Sequence, residues 1–335
     1  MAHTFIIAEL SGNHNGDIEL AKKTILAAKE AGVDAVKIQT YTADTITLDC
    51  DTEDFQIHGG LWDGYNYYRL YQEAYTPWDW HRELFDYAKE IGIILFSTPF
   101  DNTAIDLLED CGNPIYKIAS FEITDVNLIR YAASKGKPMI ISTGIATEED
   151  IRLAIEACRS VGNNDITLLK CTSSYPAPLS KANLLTIPDM KDRFGVKVGV
   201  SDHSLTNTLP IAAVALGATV VEKHIILDRA LGGVDSGFSI DADQFATMVK
   251  EIREVEQVMG DVYYITDPWS LPARKDSRSL YIAQDVKAGD IITEENVRSV
   301  RPGFGLHPKH LNAILGKKFR VDASKGDRMS LEMVV

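Results

Sequence analysis

The chain has 335 residues, 45% hydrophobic and 24% charged, the composition of a globular protein with a sizeable core. Its formal net charge of −14 leaves no basic footprint for a nucleic-acid polyanion. No apolar run approaches the roughly 20 residues of a bilayer-spanning helix, and MAHTFIIAELSGN lacks the basic-then-apolar pattern of a secretory signal. Cys50, Cys111, Cys158 and Cys171 show no paired-ligand spacing and fit buried or spare thiols in a reducing, cytoplasmic setting.

Along the chain, short apolar runs rich in β-branched residues alternate with amphipathic helical stretches. The predicted strands are TFIIAEL (4–10), AVKIQTY (35–41), IILFSTPF (93–100) and PIYKIASF (114–121). PMIISTG (138–144), ITLLKCTSS (166–174), VKVGVSD (196–202) and TVVEKHIIL (219–227) complete them. Helical patterns lie between most of them, such as DIELAKKTILAAKEAG and ATEEDIRLAIEACRSVG, the second opening on acidic residues. Eight strand–helix units within 1–260 predict an α/β fold of the (β/α)8 TIM-barrel type. A doubly wound sheet is the alternative, but no Gly-rich dinucleotide turn follows the first strand.

After the second strand comes a long connection, roughly residues 42–76, with five aromatics and three glycines within 59–71. That composition favours a packed lid over a disordered tether. Residues 261–276 then read as a linker, and residues 277–335 as a small domain of short strands and turns, in which DIITEENV resembles a one-turn helix start. This tail carries ten Lys and Arg against seven Asp and Glu, so a mildly basic domain follows an acidic one.

In a barrel enzyme the chemistry sits at the carboxyl ends of the strands. Here those ends are polar: Glu9, Ser11, Asn13 and His14 follow strand one; Lys37 and Gln39 strand two; Lys117, Ser120 and Glu122 strand four. Ser142 and Thr143 follow strand five; Lys170, Thr172, Ser173 and Tyr175 strand six; Ser201, Asp202 and His203 strand seven; Glu222, Lys223 and His224 strand eight. Any one of these could face the helix layer or cap a helix, but the clustering at one end of so many strands points to a site. His203 and His224, on neighbouring strands, suit a divalent metal such as Mn²⁺, Mg²⁺ or Co²⁺; a structural, hydrogen-bonded role is the alternative. Lys37 and Lys117, with Ser120, Ser142 and Ser201, could hold a phosphate or carboxylate in an otherwise acidic protein. Alternatively Lys117 or Lys170 could form a Schiff base with a carbonyl substrate. Glu9 and Glu122 could move protons, hold sugar hydroxyls or form ordinary salt bridges.

At these residues the chain resembles the sialic acid synthase family. The matching segments are AELSGNHNG (8–16), KIQTYTADT (37–45), YKIASFE (116–122), ISTGIAT (141–147), LKCTSSYP (169–176), GVSDHS (199–204), VEKHIILD (221–228) and RPGFGLHP (301–308). GGLWDG (59–64) and TPWDWH (76–81) are similar to its pseudaminic acid branch. The resemblance implies a barrel followed by an antifreeze-like (SAF, β-clip) domain, and a transferase that condenses phosphoenolpyruvate with an amino-sugar aldehyde. It further implies that His203 and His224 bind the metal; that Lys37, Lys117, Ser120, Ser142, Ser173 and Ser201 hold phosphoenolpyruvate; and that Gln39, Glu122, Tyr175, Asp235 and Arg301 contact the sugar. Glu122, Lys117, His203 and His224 would be the catalytic group, and the assembly a swapped homodimer in which Arg301 reaches its partner's barrel. Neuraminate or legionaminate synthesis is the alternative within the family. Where neuraminate synthases tend to carry Cys-Thr-Asn before the Tyr-Pro pair, this chain has Cys171, Thr172 and Ser173.

Overall fold

The computed structural model describes residues 3–264 and 267–335 and resolves two compact units, one ending at Asp261 and one spanning Val262–Val335. In the first, eight parallel strands close on themselves: β1 (Phe5–Glu9), β2 (Ala35–Thr40), β3 (Ile94–Pro99), β4 (Tyr116–Ile118), β5 (Met139–Ser142), β6 (Ile166–Cys171), β7 (Lys197–Asp202) and β8 (Val220–Ile226). Each pairs with its sequence neighbour, and β1 pairs with β8 from Phe5↔Val220 to Glu9↔His224, which completes the barrel. All eight predicted strands form, each shorter than its apolar run, because the flanking polar residues leave the ladder to build loops. A ninth strand, β9 (Ile240–Asp241), pairs in parallel with the end of β8 and was not anticipated.

The helices between strands start where their sequences provide caps. Asp17 accepts from the backbone N–H groups of Glu19 and Leu20 to open Ile18–Glu30. Thr147 and Asp150 form a reciprocal capping box on Glu148–Ser160. Strand alternation divides the apolar side chains into two layers. Ile7, Ala35, Phe96, Ile140, Leu169 and Val220 plug the barrel interior, whereas Ile6, Val36, Leu95, Ile141, Leu168 and Val221 join the larger core under the helices.

The 42–76 connection is ordered. It contains helices Ala43–Ile46 and Tyr67–Ala74, and a hairpin-like turn held by Ile57 N–H to Tyr65 O at 2.8 Å and Gly64 N–H to Ile57 O at 3.0 Å. Trp62 at the turn's tip donates its indole N–H to Val234 O at 3.0 Å, after β8, so the segment is a packed lid.

In the second unit a short 3-10 helix, Leu271–Asp276, precedes β10 (Ser279–Ile282), which pairs antiparallel with β11 (Val297–Val300) over a separate core that includes Leu280, Ile292, Val297 and Phe319. The one-turn helix start expected in DIITEENV is a single turn closed by Val297 N–H to Thr293 O at 3.0 Å. Asn296 accepts from Thr293 N–H at 2.8 Å and donates to Ile291 O at 2.9 Å, and the next residue enters β11. Side-chain bonds to the backbone add to that turn rather than replace it.

Candidate active site

At the carboxyl end of the barrel, alternate residues face inward and meet. Lys37 Nζ lies 2.7 Å from Glu9 Oε2 and 3.7 Å from Glu222 Oε2, and donates to Thr98 Oγ1 at 3.0 Å. Lys117 Nζ lies 3.6 Å from Glu222 Oε1 and donates to Ser142 Oγ at 2.7 Å and Ile118 O at 3.1 Å. Ser201 Oγ donates to Glu222 Oε1 at 3.0 Å. All of these side chains are buried. Burial alone would strip charge from such groups, so the net direction at each shows what the neighbours do. For Lys37, burial pulls the pKa down, but Glu222 and Glu9 outweigh it and raise it. For Glu222, burial pushes up, yet Lys117, Lys37 and Ser201 hold it below the usual carboxylate range. Burial wins at the other two: Glu9 is raised although Lys37 opposes it, and Lys117 is lowered although Glu222 opposes it. Glu222 is shared by both lysines while Glu9 is the nearer partner of Lys37, and an incoming anion must compete with these carboxylates.

Beside Lys117 is a pocket of hydroxyls. Ser120 Oγ accepts from Ile145 N–H at 3.0 Å and from Ser173 Oγ at 3.0 Å, which leaves its own hydrogen free for a ligand. The pocket exists because position 144 is glycine: a Cβ there would collide with Ser173 Oγ, Cys171 Sγ and Ser120 Oγ. The six residues expected to hold phosphoenolpyruvate all lie on this face, four of them on β2, β4, β5 and β7 or directly after.

Above this tier His203 and His224 stand with ring centroids 5.4 Å apart. Burial lowers the pKa of both, so they are neutral imidazoles. His203 Nδ1–H donates to Thr172 O at 3.1 Å, which leaves Nε2 with its lone pair, and His224 Nδ1 is buried without a hydrogen-bond partner. Such a pair fits a divalent ion that takes its other ligands from substrate or water. Among the described residues no group of three or more His, Cys, Asp or Glu forms a fuller metal cage. Aromatic rings wall the pair: Tyr175 lies 4.5 Å from His203, Phe238 lies 4.7 Å from His224, and Trp62 of the lid lies 5.6 Å from Tyr175.

Glu122, in the turn after β4, has Oε2 buried without a hydrogen-bond partner. Burial raises its pKa to about 7, with Lys117 opposing. Gln39 donates to Glu9 Oε1 at 2.9 Å and to Ser11 Oγ at 3.0 Å, and Ser11 Oγ donates to Asp235 Oδ2 at 2.5 Å. This chain of bonds joins the β8–β9 loop to the lysine tier.

Several expected residues do not enter the site. Lys170 has the outward parity of Leu168 and donates to Cys171 O at 2.7 Å, so strand alternation sets it apart from the tier of Lys37 and Lys117. Asp202 and Lys223 also face outward, as a fully buried ion pair at 2.5 Å. His14 is a core histidine whose Nδ1 accepts from Gly16 N–H at 3.1 Å and whose ring meets Trp80 edge-on. Arg301 belongs to the second unit, where it is exposed directly after β11. Sequence reasoning overlooked Thr98, Gly144 and Phe238. Thr98 lies in the last half of a predicted strand and could have been counted; nothing local marks Gly144 or Phe238.

Buried lysines, hydroxyls and imidazoles gathered at the carboxyl mouth of a closed (β/α)8 barrel are the arrangement of a barrel enzyme's active site. Residues 24–264 match the NeuB family and residues 277–335 the SAF domain, and the chain belongs to the NeuB family. It is 49% identical over 325 residues to the pseudaminic acid synthase of Campylobacter jejuni subsp. jejuni serotype O:23/36, covering 97% of this chain and 95% of that one. It is 36% identical to the N,N'-diacetyllegionaminic acid synthase of Legionella pneumophila, covering 98% and 94%. The crystal structure of N-acetylneuraminic acid synthetase from Leptospira borgpetersenii superposes with a TM-score of 0.73 at 30% identity, over 81% of this chain and 90% of that one.

Proposed function

We propose that the chain is a pseudaminic acid synthase, condensing phosphoenolpyruvate with 2,4-diacetamido-2,4,6-trideoxy-altrose and water to give pseudaminic acid and phosphate. The 49% identity to a synthase of that name, over nearly both chains, carries this reading. The geometry supports the chemistry. Lys37 and Lys117, with Ser120, Ser142, Ser173 and Ser201, would hold the carboxylate and phosphate of phosphoenolpyruvate, offsetting its charge in an acidic protein. Gln39, Glu122, Tyr175, Asp235 and Arg301 would contact the sugar. Carbon three of phosphoenolpyruvate forms a bond to the aldehyde carbon, water adds at carbon two, and the C–O bond to phosphate breaks. His203 and His224 would hold a divalent ion (Mn²⁺, Mg²⁺ or Co²⁺), which when bound polarises the aldehyde oxygen. Glu122, with a pKa of about 7, can exchange a proton near neutral pH at the sugar end. Trp62, Tyr175 and Phe238 exclude water over the imidazoles.

The working form would be a swapped dimer in the cytoplasm, with Arg301 of each tail completing the other copy's site. Mixing inactive His203→Ala with inactive Arg301→Ala under subunit exchange restores one site per heterodimer if the tail acts in trans; no recovery after demonstrated exchange refutes that arrangement. Substrate identity is tested by phosphate release from phosphoenolpyruvate across a panel of hexosamines. The 6-deoxy diacetamido sugar is the expected winner. Equal efficiency on N-acetylmannosamine would move the chain to the neuraminate branch, and borohydride trapping on Lys117 would favour an aldolase.

A further inference from the structure

Ser11 leaves β1 in the left-handed backbone region, with φ of 48°, a conformation that non-glycine residues seldom adopt. That turn sets its buried hydroxyl between two side chains from different strands' ends. Ser11 Oγ donates its only hydrogen to Asp235 Oδ2 at 2.5 Å and accepts from Gln39 Nε2 at 3.0 Å. Gln39 gives its second N–H to Glu9 Oε1 at 2.9 Å. A primary amide has two N–H donors, and both are therefore used inside the protein. The flipped amide is disfavoured: it would set the Gln39 carbonyl oxygen against a Ser11 oxygen whose hydrogen is already committed. Asp235 accepts twice on Oδ2, from Ser11 and from Gly12 N–H at 3.2 Å, while among the described residues nothing bonds its Oδ1. What remains unbonded among the described residues is one oxygen on each side chain.

We infer that Ser11 is a positioning residue: it consumes the donors of Gln39 and fixes Asp235, so that the pair presents two acceptors and selects N–H or O–H donors on the sugar. This rests on the reading above, in which Gln39 and Asp235 face the sugar. A sugar whose donor here is masked leaves those acceptors unpaired in a buried site.

The test compares Ser11→Ala, which keeps the Cβ, with Ser11→Gly, which relaxes the positive φ; both remove the hydroxyl. Each should lower kcat/KM for the sugar by roughly tenfold, the size of one buried hydrogen bond, while KM for phosphoenolpyruvate stays within about twofold. In a Gln39→Met background, Ser11→Ala should cost less than about threefold, because its main partner is gone. A scan of singly O- or N-methylated sugars on the wild-type enzyme should find a methylation that costs about tenfold, and much less in Ser11→Ala. This arm does not depend on either variant folding: no costly methylation on the wild type counts against the inference. It is also overturned by wild-type sugar efficiency in either variant, by both substrates losing affinity together, or by full additivity with Gln39→Met. A wild type inert with every sugar overturns the functional reading and this inference with it. An active wild type with indifferent Ser11 variants overturns the inference alone.

Discussion

Replacing Glu122 with Gln isolates the energetic consequence of burying a carboxyl at the sugar end. Burial lifts this group from an ordinary 4.5 to about 7. In the native state it therefore keeps its proton where the unfolded chain has lost it, and native stability must fall as pH rises through that window. At about 1.36 kcal/mol per pH unit, the loss is on the order of 3 kcal/mol, complete above pH 7. Gln is the neutral isostere and suffers no such loss. Glu122→Gln should thus match the wild type near pH 4.5 and exceed it by up to about 3 kcal/mol at pH 8. Denaturant unfolding of both proteins at several pH values, followed through the barrel's tryptophans, measures the difference. A difference that stays flat between pH 5 and 8, or that grows toward acid, would refute the raised pKa. The same variant should lose turnover, since it can no longer exchange a proton at neutral pH.

Three other outcomes follow from named contacts. His203→Ala or His224→Ala should abolish turnover and reduce bound metal while the fold persists; wild-type metal content and activity in either would remove the metal assignment. Gly144→Ala would drive a methyl into Ser120, Ser173 and Cys171 and should raise KM for phosphoenolpyruvate about tenfold or more, the scale of overpacking costs, with unchanged kinetics as the contrary result. Lys223→Met leaves Asp202 charged and sealed, and should cost about 3–5 kcal/mol, most of it recovered by adding Asp202→Asn; a double variant as unstable as the single would contradict this.

Much of the molecule could be read before any coordinates. Eight β-branched runs separated by amphipathic helical stretches narrow the fold to a barrel or a doubly wound sheet, because parallel strands with amphipathic crossovers can bury both faces only by closing or by double winding; the missing Gly-rich turn after the first strand favours the barrel. The polar strand ends marked the catalytic mouth, and the aromatic-rich 42–76 segment marked a lid. Local sequence was weaker where a short element depends on its neighbour, as in β9, which pairs with the end of β8.

The residue types and their place at the strand ends belong to the sequence alone, and they pointed to an anion site, with a metal at His203 and His224 or a lysine Schiff base left as alternatives. Which side chains meet was decided by tertiary structure. Strand alternation admits Lys37, Lys117 and Glu222 to the interior and turns Lys170 and Lys223 away, yet the absolute phase depends on barrel closure, which no strand encodes by itself. Phe238 reaches the imidazoles because β7 and β8 are neighbours, and Ser11 reaches Asp235 across 224 residues because β8 returns beside β1. The raised pKa of Glu122 and the competition of Glu9 and Glu222 for two lysines are likewise tertiary, since desolvation and charge pairing come from groups far apart in the chain.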